Sequence, residues 1–510
     1  MPAFPLALVL ALIAQPPPEA PDGDAPERTE LAWGADAQGG APYIFPDPAD
    51  PNHLVGFEVD LADALAGQLG LRARPVQGQW DKLLELLDRG DFDVALNGIE
   101  VSDDKAGICL LSRPYYVAAE RLTVRRGDTR APQTLAGLRG RPIGTLPGSL
   151  AEKILQRAGA EVRAYEGGQG DAYNDLLLRR IDGVLLDDPI TQYYGAVEPD
   201  LEVVPGSFGE VRYAVAAPKG DPALQEQLNR ALDALAKDGT LRRIYERWGL
   251  WNAETAQLLG DPDPQAHLVA ERWEAWRVSV GKRPPFWERV VGSYPRMMGT
   301  FARGAGITLA VCVLAMMLAI ALGAVLALAR SFGPAPLRVL ATTYVELFRG
   351  TPLLVQLVIL YFGLPELGLT LSPFAAGVLA LGLNYAAAES ENYRAGLMSV
   401  PATQLDAARV LGLSTPQALR LVVLPQAVRV SLPPMTNDFI ALLKDSSLIS
   451  VVTLTELTKS YSMLANATRD HLGLGLVVAA WYLLIGLPFV WLSRRLERRF
   501  GQHQRRAGGA

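Results

Sequence analysis

The sequence predicts an α/β domain of two small lobes followed by an all-α transmembrane domain of about five helices. Three observations support this prediction. The chain has 510 residues, more than one ordinary domain contains. Short apolar runs alternate with helical patterns up to about residue 251, and long apolar runs follow residue 300. The first 290 residues carry a net charge of −14, and the remainder carries +8.

The amino-terminal segment has features of an export signal. Its apolar stretch, residues 4–14, is too short to span a membrane, and a cleavage point falls near Ala14. We therefore interpret residues 1–14 as a signal-like segment. The proline-rich residues 15–29 are interpreted as an unstructured tether.

Composition excludes several classes of function. The acidic first 290 residues argue against nucleic-acid binding. The two cysteines and four histidines have no disulfide or metal-ligand spacing, so no metal and no cofactor are predicted. The run VLLDD resembles part of a nucleotide-hydrolysing site, but the sequence has no phosphate-binding G-x-x-x-x-G-K-[ST] loop.

Residues 30–251 are predicted to form the α/β domain. Residues 59–69 and 80–87 have helical spacing, and DFDVALNGI has the pattern of a buried strand. RPIGTLPGS, IDGVLLDDP and RYAVAAP each repeat the pattern of a strand followed by a turn. Strands that alternate with helices predict mostly parallel sheets, and about 220 residues suit two lobes.

Seven segments of this domain occur in a characteristic order: APYIF, GFEVDLADALAGQLGL, WDKLLELLDRGDFDVALNGIEVSDDK, LSRPYY, LRGRPIGTLPGS, IDGVLLDDPITQYY and LNRALDALAKDGTLRRIYERWG. Together they resemble the periplasmic amino-acid-binding proteins of solute-binding family three. The resemblance implies a two-lobed clamp of type II that closes around its ligand. Lobe one would contain about 31–114 and 217–250, lobe two about 121–209, and the hinges would lie near 115–120 and 210–216.

The resemblance also implies a ligand site. Tyr43 and Trp80 match the aromatic residues that enclose the ligand, and Asn97 and Gly98 match the backbone groups of the cleft. Gly148 and Ser149 match the turn that binds the ligand's carboxylate, and Asp187 matches the carboxylate that binds its ammonium group. Without the resemblance, the two aromatic residues could equally pack the lobes, and Asp187 could be an ordinary loop carboxylate.

Two positions depart from the family pattern. Glu100 stands where the family has Thr or Ser, and Lys105 stands where it has an Arg that binds the ligand's α-carboxylate. Lysine cannot copy a bidentate bond, and a glutamate would repel a carboxylate. We therefore hypothesise that the ligand is not a plain amino acid, or that it binds in an altered pose. The alternative is an exposed ion pair of little consequence.

Residues 252–290 are predicted to form a linker, and 291–500 to form the transmembrane domain. Trp273, Trp276 and Trp287 could lie at the membrane surface or pack against the lobes. The predicted membrane runs are residues 305–329, 337–362, 373–388, 432–452 and 473–492. Arg349, Lys444 and Asp445 fall inside these runs, and we expect them to mark helix ends.

Five spans and the distribution of arginine predict the orientation. On one side of the predicted membrane, arginines lie next to the apolar runs, in the tail 501–510 and in the residues just before it. The loops on the opposite side hold only Lys459 and Arg469. The positive-inside rule therefore predicts a cytoplasmic carboxyl terminus and an extracytoplasmic α/β domain in the cell (inner) membrane.

The predicted cytoplasmic loop contains the most specific motif. Asp406-Ala407-Ala408, Gly412 and Val422-Val423-Leu424-Pro425 follow the spacing E-A-A, three residues, Gly, nine residues, I-x-L-P. With FRGTPLLVQL, ENYRAGLMSV and LLKDSSLISVV, they resemble the permeases of polar amino-acid importers. We expect one short helix at 404–411 that Gly412 ends, and a second that ends at Pro425. The alternative is an amphipathic loop that packs on its own bundle.

These resemblances imply the binding and permease subunit of an ABC importer for a polar amino acid or similar small polar solute. They imply a separate ATPase subunit, a homodimer of this chain and a lipid bilayer as partners, and no catalysis by this chain. Two alternative functions are compatible with a clamp of this kind. One is a ligand-gated channel or receptor built on the same clamp, and the other is a clamp-fold lyase or dehydratase. The sequence has no TVGYG-like filter for the first and no catalytic constellation for the second.

Overall fold

The computed structural model describes residues 28–166, 168–281 and 284–507. The signal-like segment and most of the tether lie outside the described residues. The chain forms two compact units, here named the α/β unit and the helical unit. The described residues up to Thr300 form the α/β unit together with Tyr461–Gly475. The helical unit contains Phe301–Ser460 and the residues from Leu476 onwards.

Most strands of the α/β unit are short. The central strands of each sheet are apolar and buried, whereas the edge strands are more exposed. They are β1 (Glu30–Ala35), β2 (Phe45–Pro46), β3 (Leu54–Val55), β4 (Arg72–Gln77), β5 (Val94–Ala95), β6 (Leu110–Leu111), β7 (Tyr116–Arg125), β8 (Pro142–Thr145), β9 (Glu161–Ala164), β10 (Gly183–Asp187), β11 (Leu201–Val203), β12 (Glu210–Tyr213) and β13 (Ala216–Ala217). The sheet of lobe one has the order β4-β1-β5-β13-β6. The sheet of lobe two has the order β11-β7-β10-β8-β9, and β12 pairs with β7.

Both sheets are mixed, so the prediction of mostly parallel sheets was only half right. In lobe one β1 is parallel to β4 and β5, but β13 is antiparallel to β5 and β6. In lobe two β8 is parallel to β9 and β10, but β7 is antiparallel to β10 and β11. The chain crosses between the lobes through the antiparallel pair β7 and β12. Each crossing therefore adds a strand that is antiparallel to its neighbours in the sheet.

The helices of the α/β unit cover these sheets. They are α1 (Phe57–Gln68), α2 (Leu83–Asp88), α3 (Asp103–Ala106), α4 (Leu150–Ala158), α5 (Gln169–Leu177), α6 (Asp188–Ile190), α7 (Pro222–Lys237), α8 (Thr240–Arg247), α9 (Ala253–Leu259), α10 (Glu271–Gly281) and α11 (Phe286–Gly292). Polar side chains cap several of them: Ser149 accepts from the backbone of α4, and Asp187 accepts from that of α6. Lobe one and the hinge strands share a core of large aromatic residues, including Trp33, Phe57, Tyr116, Tyr213 and Tyr245.

The predicted linker packs on the lobes. The Trp276 side chain is 2% exposed, and its indole N–H donates to the Tyr193 carbonyl at 3.2 Å. Its ring centroid lies 5.2 Å from that of Phe45, and the Trp273 centroid lies 4.8 Å from that of Tyr193. Of the two alternatives for these tryptophans, packing therefore applies to Trp273 and Trp276. Trp287 is exposed.

The segment Tyr461–Gly475 also belongs to the α/β unit. Its Asn466 side chain donates to the Gln38 carbonyl of lobe one at 2.9 Å. Its Arg469 guanidinium pairs with Glu198 and donates to the Tyr193 and Tyr194 carbonyls of lobe two. The segment thus contacts both lobes.

The helical unit is built from long helices joined by short turns. The helices that lie wholly or partly in this unit are α12 (Tyr294–Phe332), α13 (Ala335–Gly350), α14 (Leu353–Val358), α15 (Pro373–Met398), α16 (Ala402–Val410), α17 (Thr415–Ala418), α18 (Leu424–Asp445), α19 (Leu457–Thr468) and α20 (His471–Ala507). The start of α12, most of α19 and the start of α20 belong to the α/β unit. Within the described residues, Tyr294–Phe332 and His471–Leu496 are long and apolar enough to cross a membrane. The 26-residue α15 and the 22-residue α18 are long enough, but polar side chains interrupt their apolar faces.

The charged residues inside the predicted runs mark helix ends, as expected. The run 337–362 is not one straight helix, because α13 ends at Gly350, next to Arg349, and the chain bends by 106° before it continues. Pro352 follows the bend and cannot continue a helix from Gly350. Likewise α18 ends at Asp445, and a 3₁₀ helix follows at Ser446–Val452.

Candidate functional site

A cavity of the α/β unit is lined by residues of both lobes. Of the nine predicted ligand-site residues, seven line it: Tyr43, Trp80, Asn97, Gly98, Glu100, Ser149 and Asp187. Lys105 and Gly148 are not among its lining residues. The cavity therefore gathers most of the predicted site, from positions far apart in the chain.

The two aromatic residues belong to lobe one, and hydrogen bonds fix both side chains. The Trp80 indole N–H donates to the Asn97 carbonyl at 2.8 Å, and its backbone N–H donates to Asp36 Oδ2 at 3.2 Å. The Tyr43 hydroxyl donates to Asp187 Oδ2 at 2.8 Å. Gly98 has a φ of +61°, and a Cβ there would come within 3.0 Å of the Tyr43 ring, which explains glycine at this position. Both rings line the cavity and pack the lobe, so the two interpretations are compatible.

Asp187 ends β10 in lobe two, where the strand turns into α6. Its Oδ1 accepts the backbone N–H of Ile190 at 3.1 Å, and its Oδ2 accepts the hydroxyl groups of Tyr43 and Tyr213. Burial raises the pKa of Asp187 to about 6, and the two tyrosine hydroxyls oppose that rise. Because Tyr43 belongs to lobe one, this carboxyl group also joins the lobes.

The predicted backbone groups are largely occupied by the protein itself. The Gly98 N–H donates to Glu58 Oε1 at 2.8 Å, and the Gly148 N–H donates to Glu152 Oε2 at 2.7 Å. The Ser149 hydroxyl donates to the Leu146 carbonyl at 2.7 Å and accepts the Glu152 N–H at 3.2 Å. The structure thus places Ser149 at the cavity as a helix cap, and it leaves Gly148 exposed outside it.

Glu100 and Lys105 do not form an exposed surface pair. Glu100 is 8% exposed, and the Lys105 side chain is 16% exposed. The ammonium group of Lys105 lies 3.1 Å from Glu100 Oε2 and 5.4 Å from the centroid of the Trp80 ring. Both oxygens of Glu100 lie 3.0–3.1 Å from the backbone nitrogen of Leu150, the first residue of α4. Glu100 of lobe one therefore caps a helix of lobe two.

Sequence reasoning missed four carboxyl groups that line the cavity: Asp36, Asp81, Glu120 and Glu166. Glu120 is 1% exposed, and its Oε2 has no hydrogen-bond partner among the described residues. Burial and the nearby charge of Asp187 raise the pKa of Glu120 well above its usual range. The signal that could have found it is a glutamate in the middle of β7, YVAAERLTVR, whose preceding residues are apolar.

The raised pKa of the Asp188 carboxyl group predicts that its contribution to the free energy of unfolding falls as the pH rises. Burial, with a smaller effect of Asp187, raises the pKa of Asp188 to about 7, against about 4 in an unfolded chain. The folded protein then binds more protons than the unfolded one, so this stabilisation is complete below pH 4 and is lost as the pH rises through 7. In Asp188→Asn, the amide oxygen can still accept the Ala119 N–H. We expect this variant to melt above the wild type at pH 8 and close to it at pH 4.

Thermal melting of the full chain in detergent, followed by tryptophan fluorescence, measures this difference. Asp128→Asn is the matched control, because the Arg130 backbone N–H and the Arg125 side chain lower the pKa of its half-buried carboxyl group. That control should gain no stability at pH 8. An Asp188→Asn variant with the same pH profile as the wild type would contradict the assignment.

The predicted coupling loop forms a helical hairpin in the helical unit. The helix α16 ends at Val410, and Gly412, with a φ of +88°, reverses the chain as expected. The second expectation was wrong: the chain does not end a helix at Pro425 but begins α18 at Leu424. A wide π turn at Leu419–Val423 precedes it, and proline in a first helical turn lacks only an N–H that would have no partner there.

The hairpin leaves part of its motif exposed. Asp406 and Ala407 are exposed, whereas Ala408 is buried. The apolar side chains of Val410, Leu411 and Leu421 are 87%, 82% and 62% exposed, respectively. A surface of this kind, apolar and edged with charge, is typical of an interaction site.

Two families match the two halves of the chain. Residues 33–250 match bacterial extracellular solute-binding proteins, family 3, and residues 298–502 match the binding-protein-dependent transport system inner membrane component. The L-cystine transport system permease protein TcyB of Bacillus subtilis (strain 168) is 37% identical over 218 residues, which are 42% of this chain and 92% of that protein. The glutamine transport system permease protein GlnP of Escherichia coli (strain K12) is 34% identical over 215 residues, 42% of this chain and 96% of that protein.

An ancestral arginine-binding protein bound to arginine is 30% identical, and the match covers 43% of this chain and 98% of that structure with a TM-score of 0.41. The permease relatives indicate a transport role without catalysis, and they give no support to a channel, a receptor or a lyase. The chain belongs to the family of binding-protein-dependent transport system inner membrane components, and it carries a family 3 solute-binding domain in the same polypeptide.

Proposed function

We propose that the α/β unit captures a polar amino acid or a similar small polar solute and that the helical unit conducts it inward. The observation that carries this proposal is the cavity lined by Tyr43, Trp80 and Asp187. Aromatic rings beside a carboxylate suit a ligand that bears an ammonium group. The L-cystine and glutamine permeases among the relatives support a solute of this chemical class.

Each predicted site residue has a proposed role. Tyr43 and Trp80 enclose the solute, and Asp187 receives its ammonium group. Asn97 and Gly98 shape the floor of the cavity, since their polar groups are bound to Trp80, Asp36 and Glu58. Glu100 and Ser149 form the end of the cavity at α4. Lys105 and Gly148 lie outside the lining, where Lys105 pairs with Glu100 and Gly148 precedes the helix.

The energy source is proposed to be a separate ATPase subunit that binds the hairpin of α16 and α17. The exposed motif residues Asp406 and Ala407, Gly412 at the turn, and Leu424 and Pro425 support this site, with Ala408 buried beneath. Arginine-rich flanks support a cytoplasmic position for the hairpin and the carboxyl terminus, and thus an extracytoplasmic α/β unit. Two copies of the chain would form the transport path, as closed homodimers are common.

Joining the binding domain to the permease has a kinetic purpose in this proposal. A tethered binding domain is presented to its permease at an effective concentration in the millimolar range for a short linker. Capture therefore does not depend on the diffusion of a free binding protein.

Reconstitution tests the proposed function. The full chain is placed in liposomes with and without a candidate ATPase subunit, and uptake of radiolabelled amino acids and amines is followed with ATP on the cytoplasmic side. We expect saturable uptake of at least one solute that needs both the ATPase and ATP. Passage of solute without the ATPase would contradict the proposal and favour a channel.

A further inference from the structure

The place where a ligand carboxylate would bind is already filled by the protein. Both oxygens of Glu100 lie within hydrogen-bonding distance of the Leu150 N–H, at the amino terminus of α4. The neighbouring polar groups of that turn are also satisfied, since the Gly148 N–H donates to Glu152 and the Ser149 hydroxyl donates to the Leu146 carbonyl. A second carboxylate at this helix end would have to displace Glu100.

The nearest cation is also taken. The ammonium group of Lys105 contacts Glu100 at 3.1 Å and lies over the Trp80 ring. Its charge is therefore balanced within the protein. An incoming carboxylate would meet a neutral pair, and a carboxylate buried without a cation is strongly unfavourable.

The rest of the cavity has an excess of negative charge. Apart from Glu100, which Lys105 balances, five of its lining residues carry carboxyl groups: Asp36, Asp81, Glu120, Glu166 and Asp187. None of the lining residues in the described part of the chain is Lys or Arg. Glu120 and Asp187 are direct cross-strand neighbours on β7 and β10, and the buried Glu120 Oε2 has no partner in the described residues. Two adjacent carboxyl groups of this kind favour a bound cation.

The lining favours an organic cation over a metal ion. The rings of Tyr43, Trp80 and Tyr165 form part of its wall, and such faces attract ammonium and guanidinium groups. Among the described residues, no three His, Cys, Asp or Glu side chains are grouped to hold a metal ion. The carboxyl groups are instead distributed around a partly aromatic cavity.

We propose that the cleft selects a small amine or diamine that lacks a carboxylate, and that Glu100 fills the position of the missing carboxylate. This inference rests on the proposed function of the cleft as the solute site and narrows its substrate class. Glu100 then joins the lobes as an amino acid's own carboxylate would. A decarboxylated amino acid has the required chemistry, with a cationic group at each end or at one end.

Matched pairs of ligands test the inference. Agmatine and arginine differ only in the carboxylate, as do 1,5-diaminopentane and lysine. Binding of all four to the full chain in lipid nanodiscs is measured by isothermal titration calorimetry. We expect at least one amine to bind about tenfold or more tightly than its amino acid. Tighter binding of the amino acids would overturn the inference and leave the proposed function intact. Binding of no member of this panel, nor of any common amino acid, would overturn both.

Two variants test the role of Glu100 directly. In E100T/K105R, the site regains an unpaired guanidinium, and the preference should shift towards arginine and lysine by about tenfold or more. E100Q is the milder variant, because its amide oxygen can still accept the Leu150 N–H without the negative charge. It should shift the preference in the same direction. Glu161→Gln, on the exposed strand β9, is the matched control and should leave the preference unchanged. An unchanged preference in both Glu100 variants would overturn the inference.

Discussion

Replacing Asp187 with asparagine should weaken ligand binding by about 100-fold. In the proposed site this carboxylate receives the ligand's ammonium group, and a buried cation that loses its partner pays most of its desolvation cost. The substitution preserves size, and the asparagine Oδ1 can still accept the Ile190 N–H that caps α6. Isothermal titration calorimetry on the full chain, with the tightest ligand of the panel, measures the change in Kd.

Asp182→Asn provides the control for that experiment. Asp182 belongs to the same lobe, but it pairs with Arg141 at 3.1 Å and does not line the cavity. Its substitution should change the affinity less than about twofold, since its ion pair lies outside the cavity. Equal affinities of wild type and Asp187→Asn would contradict the assigned role of Asp187.

Replacing Ala407 with arginine should reduce ATP-driven uptake by about tenfold or more and leave ligand binding unchanged. Ala407 is exposed on α16, beside the exposed apolar side chains of Val410 and Leu411. A long charged side chain would hold an ATPase subunit away from this surface, or it would be buried without a partner. Uptake into proteoliposomes and calorimetry on the same preparation separate the two effects.

The matched control is Glu366→Arg, at an exposed position outside the hairpin of the helical unit. It should retain uptake, because the proposed ATPase surface does not include it. Normal uptake by Ala407→Arg would show that the hairpin does not carry the coupling, and the amphipathic-loop alternative would then apply. Loss of ligand binding in this variant would likewise contradict a purely coupling role.

The sequence was sufficient for the order of the two units and for seven of the residues that line the cavity. Segment by segment, short motifs such as APYIF and IDGVLLDDP place Tyr43 and Asp187 relative to strands and turns. Strand direction was harder to predict. The residue patterns of β7 and β13 do not reveal their direction, and it is the two lobe crossings that make these strands antiparallel to their neighbours.

The missed residues have a common physical reason. Asp36 directly follows β1 and Glu120 lies within β7, and neither belongs to a motif of fixed spacing that would reveal it. They line the same cavity only when the two lobes are folded together. The spans within 373–398 and 424–445 were hard for the opposite reason. Polar side chains in these helices lower the mean hydropathy of the sequence, although they are paired between helices in the fold. The Asn392 amide, for example, donates to Asp438.

The packing of Trp276 affects when the lobes can finish folding during synthesis of the chain. A ribosome releases the chain from the amino terminus, and domains generally fold as units while the chain emerges. Phe45 and Tyr193 remain uncovered until α10 has emerged, because the Trp276 ring packs on both. The lobes therefore complete their aromatic core only shortly before the first membrane helix, α12, is made. A truncated protein that stops after Leu250 would keep that surface exposed to water.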